Sequence, residues 1–168
     1  SWARKNFFGS DDDLEMSVSS VSTNDQMPLF AYQRLKCVLG SLENKKLILF
    51  GVSYRGDVGD TRFSPVEPLY RLLKTHSCEI KVHDPYLTEW HELGIPVSSN
   101  SDDLLLISPD LIIISTAHSK YKSDDFILNL MKLKKCKIFD MVGLFSDKQI
   151  THLRKKHKIS VLGRGEEI

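Results

Sequence analysis

The chain has almost no net charge, no long apolar run and only three cysteines, and each scarcity excludes a class of protein. A formal charge of +1 at pH 7 leaves no field that would gather nucleic acid or an anionic membrane, so neither is expected as a partner. No window approaches the roughly 20 apolar residues that a membrane span needs, and the first residues lack the apolar core of a signal peptide. Cys37, Cys78 and Cys136 are odd in number and far apart, with no Cys-x-x-Cys pair. They are expected to be reduced, buried thiols of a cytoplasmic protein, not disulfide, zinc or redox groups. His76, His91, His152 and His157 are scattered without ligand spacing, and no metal site is expected. Also missing is the Gly-x-Gly-x-x-Gly pattern of a dinucleotide cradle after the first apolar strand. Gly163-Arg164-Gly165 is too short to supply it and reads as a tail.

What is present is a repeating alternation. Short apolar runs predict strands at 46–52, 79–84, 111–116, 136–140 and 159–163, with helices at 65–75, 101–107, 124–133 and 147–157 between them. Ser146 is the expected N-cap of the last helix and Ser101 or Asn100 that of the second. Parallel strands need crossover connections of this length, so the fold class is α/β, a Rossmann-like parallel sheet with helices on both faces. The chain of 168 residues, 41% of them hydrophobic, supports one such core with some chain to spare. The spare part comes first. Residues 1 to about 23 are polar, with Asp11-Asp12-Asp13 and a serine cluster, and alone would be weakly ordered. From Asn24 a long helix is expected, with Pro28 near its start and Leu29, Leu35, Val38, Leu39 and Leu42 along one face. The division expected is therefore 1–44, the tail of a helical linker, and 45–168, the Rossmann-like domain. The basic run Arg154-Lys155-Lys156-His157 reads as a solvated helix end complementing the macrodipole.

The chemistry-bearing residues concentrate between the first strand and the first following helix. Gly51 to Pro65 carries Tyr54, Arg55, Asp57, Asp60 and Arg62 in one loop. In an open α/β sheet the loops at the carboxyl ends of the strands build the ligand crevice. The helix that follows is announced by Ser64 at the N-cap, Pro65 at the first position and Glu67 placed to reach back to the Ser64 amide. A helix amino terminus with two guanidinium groups beside it suits a phosphate or another anion, with Asp57 and Asp60 holding the arginines or closing the turn. The same charges also suit a salt-bridged surface loop without a ligand. Tyr54 offers a flat apolar surface to a ligand or closes the core edge. His118 either lines the cleft or bonds a backbone carbonyl. Asp84-Pro85 reads as turn chemistry and Asp140 as a strand-end structural carboxylate. A metal-binding receiver domain would draw its carboxylates from separate strand ends, whereas Asp57 and Asp60 share one loop.

These motifs resemble those of the UDP-glucose/GDP-mannose dehydrogenase family, the nucleotide-sugar 6-dehydrogenases. The 51–65 run is similar to the signature that opens the family's carboxy-terminal domain. Asn24-Asp25-Gln26-Met27-Pro28 is similar to the start of its linker helix, and Ser1-Trp2-Ala3-Arg4-Lys5-Asn6-Phe7-Phe8-Gly9 to the segment after its catalytic cysteine loop. His83-Asp84-Pro85-Tyr86 and Ser115-Thr116-Ala117-His118 with Tyr121 match two strand-to-loop junctions.

The resemblance implies an intact enzyme with a separate NAD-binding domain, oxidising the 6-hydroxyl of a UDP-sugar to a carboxylate in two steps for polysaccharide precursor synthesis. It implies that Tyr54 and Arg55 contact the UDP-sugar, that Arg62 contacts the cofactor NAD across the cleft, and that the linker helix forms a homodimer spine. No catalytic residue falls within the chain, because the cysteine loop would precede Ser1, so the chain alone is expected to be inactive. Phe63 stands where well-studied members have Glu, and no arginine follows Asp140 in Phe139-Asp140-Met141-Val142-Gly143-Leu144, departures that mark a divergent subfamily. The alternative is a non-catalytic module that binds a nucleotide sugar.

Overall fold

The structure, a computed structural model, describes residues 15–164. Ser1–Gly9 and Asp11–Asp13, which entered the sequence reading, lie outside the described residues. Chain order is α1 (Glu15–Leu39), β1 (Lys46–Phe50), α2 (Val66–Leu73), β2 (Glu79–His83), β3 (Glu89–Trp90), β4 (Ile95–Pro96) and α3 (Ser101–Leu105). It continues with β5 (Leu111–Ile114), a 3-10 turn (Ser119–Lys122), α4 (Asp124–Lys132), β6 (Lys137–Asp140), α5 (Asp147–Arg154) and β7 (Lys158–Val161).

Five strands pair in the order β2-β1-β5-β6-β7, every pair parallel. Side chains of successive strand residues point to opposite faces, and here both faces are apolar. On β1, Leu47 and Leu49 join a core with Leu35 of α1 and Leu69 and Leu73 of α2, while Ile48 and Phe50 join the opposite core with Phe126, Leu130 and Leu153 of α4 and α5. On β5, Leu111 and Ile113 face the first core and Ile112 and Ile114 the second. The sheet is thus sandwiched as the apolar runs predict. From β1 the chain steps to β2 on one side and then to β5 on the other, so a topological switch point lies between β1 and β5.

Several expectations are corrected. α1 begins at Glu15, well before Asn24, and Pro28 sits inside it, not near its start. From Met16 its first turns are exposed, with Ser20 Oγ donating to the Met16 carbonyl, and no apolar periodicity marks them. The buried positions of α1 are Pro28, Ala31 and Leu35, with Leu29 largely exposed; the side chains of Val38 and Leu39 lie outside the described set. Cys37 is exposed, because it lies on the outward side of α1. The Ser64–Glu67 capping box does not form: Glu67 accepts from Arg71 instead, and Ser64 Oγ accepts only the Val66 amide. α5 stops at Arg154, and His157 turns inward, its Nε2 donating to the Leu130 carbonyl while Nδ1 accepts the Cys136 amide. The α5 cap is as expected, with Ser146 and Gln149 completing a reciprocal capping box, and Asn100 caps α3.

Candidate functional site

The switch point places two loops side by side at the carboxyl edge, 51–65 after β1 and 115–118 after β5. β1 ends before its predicted limit because the Val52 amide leaves the ladder. Val52 and Ser53 give their N–H groups to one oxygen of Asp84, at 3.0 and 3.2 Å. Ser115 Oγ donates to the Gly51 carbonyl at 2.6 Å, and Thr116 Oγ1 to the Ser53 carbonyl at 2.9 Å. Gly51 adopts φ +88°, and a Cβ there would overlap the Thr116 side chain. Only glycine permits that backbone and that approach. A Cβ at Gly56 would likewise overlap the Ala117 carbonyl oxygen, so the tip of the first loop rests directly on the backbone of the second.

Beneath the loops lies a buried polar cluster. Asp84 Oδ2 also accepts Ser53 Oγ at 2.8 Å and His118 Nε2 at 3.0 Å, and Oδ1 accepts the Tyr86 amide at 3.0 Å. Burial alone would raise the Asp84 carboxyl, but the bonds from His118 and from the Val52 and Tyr86 amides hold it below the usual carboxylate value. His118 is fully buried, and its Nδ1 accepts the Asp57 amide at 2.9 Å. Asp57, at φ +61°, accepts Ser119 N–H at 2.8 Å, Ser119 Oγ at 2.6 Å and Tyr86 O–H at 3.3 Å, which lowers its carboxyl. His83 Nδ1 meets the Tyr121 hydroxyl at 2.7 Å, and burial drops the imidazole to about 4. Asp140 accepts the Val142 and Phe145 amides, as a structural carboxylate does.

The predicted site residues sort as follows. Tyr54 is 60% exposed and does not close the core edge; its amide donates to the Asp60 carbonyl, pinching the loop base. Arg55 is exposed and has no hydrogen-bond or ion-pair partner among the described residues. Arg62 is exposed as well, but forks onto Asp60 through Nε at 3.0 Å and Nη2 at 2.8 Å, and these bonds bring the Asp60 carboxyl down to about 2. Asp60 therefore holds an arginine, whereas Asp57 closes the turn against Ser119 and Tyr86. The two guanidinium groups do not form a closed clamp: they stand on an open surface. Phe63 follows at φ +59° and 94% exposed. His118 lines no cleft, and its partners are Asp84 and the Asp57 amide, not a carbonyl. Sequence reasoning missed the reach of Asp84, which it took for a local turn. The signal that could have found it is an Asp at a strand end beside the switch point.

Cavities of about 410 and 450 Å³ open along the amino edge of the sheet, the larger lined by Asp110, Lys134, Lys135, Lys137 and Lys158 among others. They lie at the opposite edge of the sheet from the motifs; Lys134 and Lys135 follow the carboxyl end of α4, where positive charge is favoured, and Lys137 and Lys158 open β6 and β7. Cys136, nearby, is pushed up to about 12 by burial. Among the described residues no cluster of His, Cys, Asp or Glu could hold a metal ion, and no helix is long and apolar enough to cross a membrane.

A doubly wound parallel sheet with a charged loop at its switch point defines a nucleotide-type binding domain. The UDP-binding domain of the UDP-glucose/GDP-mannose dehydrogenase family matches residues 48–147, and the chain belongs to that family. UDP-N-acetyl-D-mannosamine dehydrogenase of Methanocaldococcus jannaschii is 32% identical over 145 residues, covering 85% of this chain and 32% of that protein. The chain thus spans about a third of the length of the curated relatives it matches. Among solved structures, an NDP-N-acetyl-D-galactosaminuronic acid dehydrogenase from Methanosarcina mazei superposes with a TM-score of 0.73 at 24% identity, over 93% of this chain and 32% of that one. A UDP-glucose dehydrogenase from Pyrobaculum islandicum superposes at 0.65 and 24% identity, over 96% and 34%. These two likenesses carry the fold alone.

Proposed function

We propose that the chain is the nucleotide-gripping part of an NAD-dependent UDP-sugar 6-dehydrogenase of polysaccharide precursor synthesis in the cytoplasm, with 1–44 as linker and 45–168 as the binding domain. The observation that carries this reading is Arg55: a guanidinium without an internal partner, presented at the switch point by a loop whose backbone is fixed from beneath. Arg55 holds the diphosphate with two parallel N–H bonds, and the exposed Tyr54 ring beside it covers the sugar or its neighbours. Two oppositely charged groups in water attract modestly, and closing and drying the site would raise an affinity that the open loop already has.

The fit of this chain to NAD is limited to Arg62. No Gly-x-Gly-x-x-Gly cradle is present, and Asp60 already takes the Nε and Nη2 donors, so Arg62 would offer a cofactor phosphate its remaining N–H groups. Hydride acceptance is the chemistry NAD supplies when bound. The nucleophilic thiol is assigned outside the chain as well: Cys78 and Cys136 lie at the amino edge with their thiols pushed up by burial, and Cys37 sits on the outward side of the linker helix α1. α1 leaves Met27 and Phe30 exposed one turn apart, a surface for pairing with α1 of a second copy.

Calorimetry of the chain with UDP-glucose and with UDP tests the reading, Arg55→Ala serving as the control. Measurable binding lost in the variant supports it. Equal affinity in both proteins removes Arg55 from the site.

A further inference from the structure

We propose that His118 is a positioning residue for this site, resting on the reading just given: it never touches the nucleotide sugar but fixes the backbone from which Arg55 is presented. The ring has one acceptor and one donor, and both are spent. Nδ1 accepts the Asp57 N–H at 2.9 Å, so it carries no proton, and Nε2 carries the hydrogen that goes to Asp84 at 3.0 Å. The imidazole is therefore a neutral strut between a carboxylate anchored under both loops and the amide two residues after Arg55. Asp57 is the bend of that loop, in a left-handed conformation that a non-glycine residue holds only when its surroundings impose it. Its carboxylate is tied to Ser119, next to His118 in the chain, and Gly56 abuts Ala117. Every tie that sets the course of 55–57 thus runs to residues 117–119 or to Tyr86. Two of these ties reach the buried Asp84: His118 bridges it to the Asp57 amide through one ring, and Tyr86 reaches it by its own amide while its hydroxyl meets the Asp57 carboxylate at a longer 3.3 Å.

Two substitutions separate this role from simple packing. The His118 ring also stacks near Tyr86 and Tyr121, each with centroids 5.3 Å away. His118→Phe keeps a ring in that contact and removes both polar atoms. His118→Gln loses the ring but offers an acceptor and a donor at nearly the spacing of the imidazole nitrogens. With both variants shown to be folded by circular dichroism and thermal unfolding, positioning predicts that the Gln variant keeps UDP-glucose affinity within about threefold, while the Phe variant loses at least about tenfold. A Phe variant that binds as the parent does, or a Gln variant that loses as much as the Phe variant, overturns the proposal. UDP-glucose is the probe because each of its two phosphates carries one ester and one anhydride oxygen and does not titrate near neutrality. Should the parent chain fail to bind it, the functional reading fails, and the Asp57 amide still decides the positioning claim. Its protection from hydrogen exchange should be lost in His118→Phe and kept in His118→Gln. Loss in both variants, loss in neither, or the reverse pattern refutes it.

Discussion

Replacing Asp84 by Asn removes one charge and exchanges one acceptor for a donor at the point where both switch-point loops are tied. Five donors converge on this carboxylate, four on Oδ2 and the Tyr86 amide on Oδ1. An asparagine keeps its oxygen toward the four and turns its NH2 against Tyr86 N–H, so one bond becomes a clash of donors. The other four change from charge-assisted bonds worth about 1.5–3 kcal/mol to neutral ones worth about 0.5–1.5 kcal/mol. Because the amide is cheaper to bury than the carboxylate, part of that loss is returned, and the net destabilisation is about 2–4 kcal/mol. Urea unfolding should show it as a lower midpoint with an unchanged slope. The pH dependence carries a second signature. The folded carboxyl titrates below its unfolded value of about 3.9, so its contribution is complete above that value and is lost as pH falls through the folded one. The gap between parent and Asp84→Asn should therefore be widest near neutrality and close on acidification below about pH 4. A change smaller than about 0.5 kcal/mol at pH 7, the size of an ordinary surface substitution, would refute the view that Asp84 locks the loops.

Further expectations follow from single contacts. Gly51→Ala combines a positive φ with overlap on Thr116 and should cost more than about 2 kcal/mol in the same urea assay. Ser146→Ala breaks the α5 capping box and should cost about 1 kcal/mol, seen as a lower thermal midpoint. His83, at about 4 when folded and about 6.5 when unfolded, makes the chain lose stability as pH falls between those values, because only the unfolded state takes the proton. His83→Phe should flatten the thermal midpoint across that window. Arg62→Ala breaks an exposed pair and should leave the unfolding midpoint where it is, while Phe30→Glu should turn a dimer measured by sedimentation into a monomer.

The strands were legible because Lys46-Leu47-Ile48-Leu49-Phe50 and Leu111-Ile112-Ile113-Ile114 are apolar on both faces, which in a short run between turn residues leaves little but a buried parallel strand. The start of α1 was not, since Glu15 to Thr23 are polar on all sides and nothing in their spacing separates a helix from a loop. The β3–β4 hairpin also escaped, being two residues per strand and secured by the burial of Trp90 against Tyr70. At the site, the position of Tyr54, Arg55 and Arg62 on a carboxyl-edge loop was readable from strand, turn and helix signals. Their surroundings were not. His118 and Asp84 are 34 residues apart, and their contact follows from β2 and β5 flanking β1, an order that a one-dimensional pattern does not fix. Glu67 had two local partners in reach, and the helical i,i+4 pair with Arg71 won over the cap.

The central claim is that a UDP-sugar's diphosphate is held at the carboxyl edge by Arg55. Amide shifts recorded while the chain is titrated with UDP-glucose test it most directly. The account predicts that the largest changes fall on residues 54–62 and 117–119; changes confined to the lysine-lined groove at 108–110 and 134–137, or none at saturating ligand, would contradict it.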